Sequence, residues 1–570
     1  MITKNELRKN TINSLLTTNN NAKFIVPEYQ RPYVWDEDKA YKLFDDIWEF
    51  TSKQESVNTE ETYFLGSLVA CENRHNIEII DGQQRITSIF LLLRAIYTRL
   101  IQEDSNDATE HLKNRIAPAI WEVDKKTNKP NYKKPLLESK VLADEGNDVL
   151  KQILISGTVV ENAKDNYSKN YLKYLNLYDE KAKSNRHMLD DFIILLLDGT
   201  VLLPIITDKE DIALTIFSTL NDRGMPLTNA DKFKAEIYKK LDKSKRKDFI
   251  NDWKELETNV DKIKDGSMQN LFYYYMFYLR AKEGDNSAST PGLGNFFLAD
   301  KEKKYLMDSD LLDNLNKVLD FITILELREA NESLSWSTNK DIMKSLDILY
   351  EYPNEFWKYP VITYYLKYNK KKDFEVRFTK FLHMLIVILT IRYIENPSVN
   401  GIKPDIVKLD VDIIKSIHPQ FPEIVVSDEL REKIVTPHSK LFRMLLAIMA
   451  YMEPTQKELL ETRKWEIEHI LPQKWQKSYF GDEKSDSEIK EIIEHLGNKI
   501  PLRKKLNIDA GNNYIDKKVV EYAKSKIKVA YNLRNLTKWS FEQIHQRDAD
   551  VSKDIINLFR KYIKEYKKIN

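Results

Sequence analysis

The stretch IEIIDGQQRITSIFLLLRAIYTRL, residues 77–100, decides the fold class. Ile77 to Asp81 alternates like a half-buried strand, DGQQR is a polar turn, and Ile86 onward is an apolar run long enough for a buried helix. Just upstream, FLGSLVAC (64–71) and the polar ENRHN complete a β-hairpin with residues 77–81. A strand-turn-helix unit of this kind makes the chain α+β, whereas most of the remaining text reads as helix.

Working outward, Phe24 to Val26 reads as a strand ending in VPEYQRPYVW, whose two prolines force an extended loop. DEDKAYKLFDDIWEF (36–50) follows as an amphipathic helix with Ala40, Leu43, Phe44, Ile47 and Trp48 on one face. Downstream, residues 101–190 are polar, with TNKPNYKKP read as a loop, and FIILLLDGTVLLPIIT (192–207) reads as buried and strand-like. IALTIFSTLNDRGMPLTNADKFKAEIYKKL then reads as helix, polar loop and a helix capped near Thr228 or Asn229. Residues from about 240 to 440 read as helical, and a composition shift follows LFRMLLAIMAYM.

Composition narrows the function classes. A chain of 570 residues with 89 Lys plus Arg and 88 Asp plus Glu exceeds one ordinary domain, and only 14 glycines argues against a turn-rich β protein. A single cysteine, Cys71, excludes an internal disulfide framework and a cysteine-based zinc module and suggests a reducing compartment. The run FLHMLIVILTI (381–391), bounded by Lys380 and Arg392, is too short to cross a bilayer. A cytoplasmic protein is expected. Overall neutrality hides a basic end: residues 501–570 carry 17 Lys plus Arg against 8 Asp plus Glu, an excess of +9, interleaved with aromatic side chains. That combination suits a phosphate backbone, although a solvated helix face would show the same charge.

The basic end also carries candidate chemistry. Glu468 and His469 are adjacent in WEIEHILPQKW, and Asn498 and Asn507 flank a second short strand leading to a helix. A carboxylate and a carboxamide oxygen can hold a hard cation while a neutral imidazole deprotonates water, which suffices for phosphodiester hydrolysis. The pattern resembles the HNH, or His-Me finger, nuclease with its ββα-metal fold, over about 465–530. The resemblance implies His469 as general base, Glu468 and Asn507 as ligands of Mg²⁺ or Mn²⁺, and Asn498 as the residue pinning the loop that orients the histidine. His495 and Asn513 are weaker candidates, and no cysteine pairs flank the motif as in zinc-stabilised relatives.

At the other end, Asp81, Gly82, Gln83, Gln84 and Arg85 sit where a strand meets a helix, and backbone N–H groups there favour anions. Asp81 could equally cap the helix. With YQRPYVW (29–35) and the Asn221, Asp222, Arg223 loop, the segment resembles the ParB/Srx-like N-terminal domain of GmrSD-type modification-dependent restriction enzymes and of phosphorothioate-sensing SspE proteins. The resemblance implies binding and hydrolysis of a nucleoside triphosphate, GTP or another, at Asp81 to Arg85 with Arg31 and Asn221 to Arg223 nearby. There is no Walker glycine-lysine loop. Tyr29, Tyr33 and Trp35 could wall a pocket for an altered base or backbone, with Gln30 and Arg31 holding the strand; a loop packed on its own core is the alternative.

The expected architecture is therefore a sensor domain over 1–240, a helical middle over 241–440 and a nuclease domain over 441–570. The expected activity is nucleotide-regulated cutting or nicking of modified phage double-stranded DNA. Phosphorothioate-controlled nicking, a nuclease-dead binding module and a helical adaptor are the alternatives, and homo-oligomerisation is left open.

Overall fold

The computed structural model describes residues 10–17, 21–54, 57, 61–73, 76–141, 146–160, 163–208, 213, 228–264, 266–300, 303–398, 400–460, 464–476 and 485–568. It is a mostly helical α+β protein that divides into two compact units, Met1–Glu255 and Leu256–Asn570.

The first unit is built on a mixed sheet. Its strands are β1 (Asn10–Thr11), β2 (Lys23–Val26), β3 (Tyr63–Asn73), β4 (Asn76–Asp81), β7 (Leu137–Ser139) and β8 (Thr200–Thr207), in the order β1-β8-β3-β4-β2-β7. The expected hairpin is the antiparallel β3–β4 pair, while β3–β8, β2–β4 and β2–β7 run parallel. Helix α1 (Glu37–Ser52) starts at Asp36, whose side chain accepts from the Lys39 amide, and buries Ala40, Leu43, Phe44 and Ile47. Helix α2 (Gln83–Leu100) is buried on almost every side, so it is the central element and lies against α3 (Asn166–Ser184). Helix α4 (Asn229–Lys240) is capped by Thr228 in a reciprocal box with Asp231.

Two expectations for this unit change. TNKPNYKKP is a loop only in its first part: Thr127 to Lys129 turn the chain, and Pro130–Pro135 is a strand, β6, paired antiparallel with β5 (Trp121–Val123). Its prolines occupy the strand's ends, and Tyr132 packs edge-on against Trp121 at 5.0 Å. In FIILLLDGTVLLPIIT only residues from Thr200 form a strand; Phe192 to Ile194 end a helix, and Leu195–Gly199 is a π-helical turn. A continuous apolar run satisfies a buried helix as well as a buried strand, so periodicity alone did not separate them.

The second unit is helical until its last third. Helices α5 (Lys340–Tyr350), α6 (Phe374–Glu395) and α7 (Phe442–Met452) belong to its packed core, and the apolar run 381–391 lies inside α6. No helix among the described residues is long and apolar enough to cross a membrane. After α7 come β9 (Trp465–His469), α8 (Asp486–Ile493), β10 (Lys499–Arg503), α9 (Lys504–Ala510), α10 (Ile515–Tyr522) and α11 (Phe541–Lys567). β9 and β10 pair antiparallel, with α9 packed against both. Arg443 of α7 fastens the hairpin to the helices: it donates to the Trp465 carbonyl at 3.1 Å, lies 4.0 Å over the Trp465 ring and pairs with Glu351 at 2.6 Å.

Candidate functional site

Alternation along β9 sends Glu468 and His469 to opposite faces. Glu468 is 3% exposed, and its Oε1 accepts from Lys518 Nζ and from the Tyr522 hydroxyl, both at 2.8 Å. Lys518 is itself buried and also donates to the His469 carbonyl at 2.5 Å, so α10 is pinned to the end of β9. His469 faces the other way. Its Nε2 lies 3.3–3.4 Å from the Glu494 carboxylate and 3.4 Å from Gln473 Nε2. Gln473 donates to the Glu494 carboxylate at 3.0 Å, and Lys499 Nζ donates to the same carboxylate at 2.7 Å. The His469 contact, with those of Lys499 and Gln473, holds the Glu494 carboxyl well below the usual range despite partial burial.

Asn498 lies wholly inside. Its Oδ1 accepts from the Leu471 amide at 2.8 Å and Trp539 Nε1 at 3.1 Å, while its Nδ2 donates to the carbonyls of Leu471 and Ile493 at 3.0 and 2.9 Å. One carboxamide thus fixes the chain two residues beyond His469. Asn507 is half-buried on α9, the helix against β9, and Asn513 closes the following turn on the Ala510 carbonyl at 2.9 Å. Of the basic residues in this region, Lys518 is buried and Arg547 partly buried, whereas Lys504, Lys505 and Lys517 are exposed.

A hard cation needs oxygen ligands free to turn toward it. Glu468 would have to release Lys518 first, and an ammonium 2.8 Å from the same oxygen opposes a second cation there. As placed, Glu468 does not fit a metal ligand.

The N-terminal motifs converge, largely on one another. Asp81 ends β4, and Gly82, not Asp81, is the cap of α2, at φ +92° without a side-chain bond to the helix. A Cβ at Gly82 would lie 3.2 Å from the Leu68 side chain and 3.3 Å from the Ser67 carbonyl, so the turn requires glycine. Gln84 accepts from the Val34 and Trp35 amides at 2.8 and 3.2 Å and donates to the Pro32 carbonyl at 3.1 Å. Gln83 donates to the Arg31 carbonyl at 3.1 Å, and Gln30 returns a bond to the Ile80 carbonyl at 3.0 Å. These amides bind the YQRPYVW loop to the β4–α2 turn.

Tyr29 and Tyr33 are core side chains rather than walls of an open pocket. Tyr33 is hydrogen-bonded to Ser88 at 2.5 Å and Asn170 at 2.8 Å and stacked on Tyr167 at 4.9 Å; burial pushes its hydroxyl up to about 12. Tyr29 packs on Tyr238 at 5.4 Å. Trp35 is partly buried against the same core. Arg85 donates to the Ser67 carbonyl at 2.8 Å, and burial raises the Asp81 carboxyl against the Gly82 amide and the charges of Arg85 and Arg31. Asn221, Asp222 and Arg223 lie outside the described residues.

Sequence reasoning missed Glu494, Gln473, Lys518 and Tyr522. Gln473 stands four residues after His469, and Glu494 beside His495, but the His469–Glu494, Glu468–Lys518 and Glu468–Tyr522 pairings cross 25, 50 and 54 residues and leave no local periodicity.

Two family models match the chain. Residues 12–238 match the GmrSD restriction endonuclease N-terminal domain, and residues 425–553 match the GmrSD restriction endonucleases C-terminal domain. No curated protein matches it. With both halves of the family present in order, the chain belongs to the GmrSD restriction endonucleases, DNA-cutting enzymes of restriction and defence.

Proposed function

We propose that the C-terminal hairpin cuts DNA by HNH-type phosphodiester hydrolysis with His469 as general base. The observation that carries this reading is the division of labour on β9, where Glu468 is locked inside and His469 is presented at the strand's end with Glu494 behind it. With the carboxylate accepting from Nε2–H, Nδ1 keeps the lone pair that takes a proton from water as the hydroxide attacks phosphorus, while the bond from phosphorus to one sugar oxygen breaks and that oxygen takes a proton from solvent. Exposed Lys504, Lys505 and Lys517 favour the DNA backbone at this end. Mg²⁺ or Mn²⁺ is the cofactor of this proposal, with half-buried Asn507 as the anticipated ligand that remains once Glu468 is set aside.

The first unit, on this reading, binds a nucleoside triphosphate at the N-terminus of α2, supported by the glycine that starts the helix at Gly82 and by the Asp81, Arg85 and Arg31 charges beside it. Nucleotide turnover regulates cleavage, and the substrate is modified phage DNA. Because Tyr29 and Tyr33 are internal, discrimination of a mark falls to other surfaces than those two rings.

Supercoiled plasmid incubated with protein and Mg²⁺, with and without GTP or ATP, tests the reading. Nicked or linear product from wild type, and none from His469→Ala, is expected. Arg85→Ala should lose nucleotide hydrolysis while His469→Ala keeps it. Equal cleavage of plain, hydroxymethylated, glucosylated and phosphorothioated DNA would remove the modification dependence.

A further inference from the structure

Behind the hairpin, two imidazoles converge on one carboxylate oxygen. His495 Nδ1 lies 2.8 Å and His545 Nδ1 3.9 Å from Asp548 Oδ2, and donor atoms of the three side chains all lie within 4.8 Å of one another. His545 and Asp548 stand three residues apart on α11 and so share a face, while His495 arrives from the turn before β10. The two rings cross at 71° with centroids 5.5 Å apart, so they do not stack; their nitrogens approach a common point.

The support behind these donors is rigid. Asp548 is 5% exposed, and its other oxygen accepts from the Gly497 amide at 2.6 Å. A Cβ on Gly497 would lie 2.5 Å from the Ile544 carbonyl and 2.6 Å from Asp548 Oδ1, so only glycine lets the turn approach α11 this closely. The neighbouring Arg547 donates to the Gly497 and Lys499 carbonyls at 2.6 and 3.0 Å, and its charge also acts on Asp548.

We propose that His495, His545 and Asp548 form a site for a divalent transition cation of the Zn²⁺ class, which staples the turn before β10 to α11. A tetrahedral ion with bonds of about 2.0–2.2 Å separates its donors by about 3.4 Å. The 2.8 and 3.9 Å separations from Asp548 bracket that figure, and all three donors lie within 4.8 Å of one another. Two imidazoles and one carboxylate select zinc or its neighbours over Mg²⁺, which prefers oxygen ligands. His545 is half-exposed, leaving the fourth position to water and giving the ion an entry path. The role is structural: the turn continues into Asn498, which holds the segment after His469. The proposal stands on these three side chains and does not depend on how DNA is cut.

Full-length protein freed of metal with a chelator and titrated with Zn²⁺ by calorimetry, with Co²⁺ as a spectroscopic stand-in, provides the test. Wild type should take up one equivalent, unaffected by millimolar Mg²⁺, with a raised Tm. His545→Ala, a half-exposed substitution that leaves the Asp548–Gly497 bond in place, should weaken uptake at least tenfold and remove the Tm shift. His469→Ala should keep both, which separates this site from the hairpin's outer face. No uptake by wild type, or equal uptake by His545→Ala, overturns the proposal and leaves a hydrogen-bonded His495–Asp548 pair.

Discussion

The turn at Asp81–Arg85 and the strand end at Glu468–His469 are both dense in polar residues, yet they use them differently. In the first, Gln30, Gln83 and Gln84 satisfy one another's loops, and the two tyrosines are core. In the second, strand alternation keeps one polar residue inside and turns its neighbour outward. A cluster of polar residues in sequence therefore marks a place where backbone groups need partners as often as a place where substrate binds. What separates the two is whether a reactive atom remains available after the fold's own hydrogen bonds are made.

Substitutions can break that comparison. Glu468→Ala leaves the Lys518 ammonium buried and unpaired, and a loss of about 3–5 kcal/mol in stability is expected by denaturant unfolding. A wild-type midpoint with lost cleavage would instead make Glu468 a functional ligand. Gln84→Ala removes the acceptor of two amides and should cost about 1–3 kcal/mol, together with faster proteolysis in the 29–35 loop. If stability is unchanged and only nucleotide hydrolysis falls, the amide belongs to a binding site. Glu494→Gln keeps the shape behind His469 but removes its charge, so cleavage should slow by about 10–100-fold with the fold retained.

A pH effect, at most about 1.4 kcal/mol for each pH unit, lies away from both regions. His383 of α6 is stacked on Tyr562 at 3.8 Å, and burial, with a smaller contribution from Lys561, pushes its pKa down to about 4. An unfolded histidine takes up its proton near 6.5, so between pH 6.5 and 4 the unfolded chain binds more protons than the native one. Stability should fall as pH drops through that window, by about 1.4 kcal/mol per pH unit at most from this residue. His383→Gln should flatten that part of the stability–pH curve; an unchanged slope would assign it to other groups.

Much of this was legible in residue order. The hairpin before DGQQR, the helix from Glu37, the Thr228 cap and the second strand after EHILP follow from local periodicity and capping chemistry. The inward turn of Tyr33 was not, because its partner Asn170 lies 137 residues away. The lock on Glu468 was equally hidden, since nothing near it announces Lys518 fifty residues later. Apolar runs such as 192–207 mislead for a different reason: complete burial erases the period that distinguishes helix from strand.

The central claim, that the outward histidine of β9 performs the chemistry while the fold stands without it, is tested most directly by measuring plasmid cleavage rate and Tm on the same preparation of His469→Ala. The account predicts a rate lowered by about 10²–10⁴-fold with the wild-type Tm. Cleavage at the wild-type rate by the folded variant would contradict it.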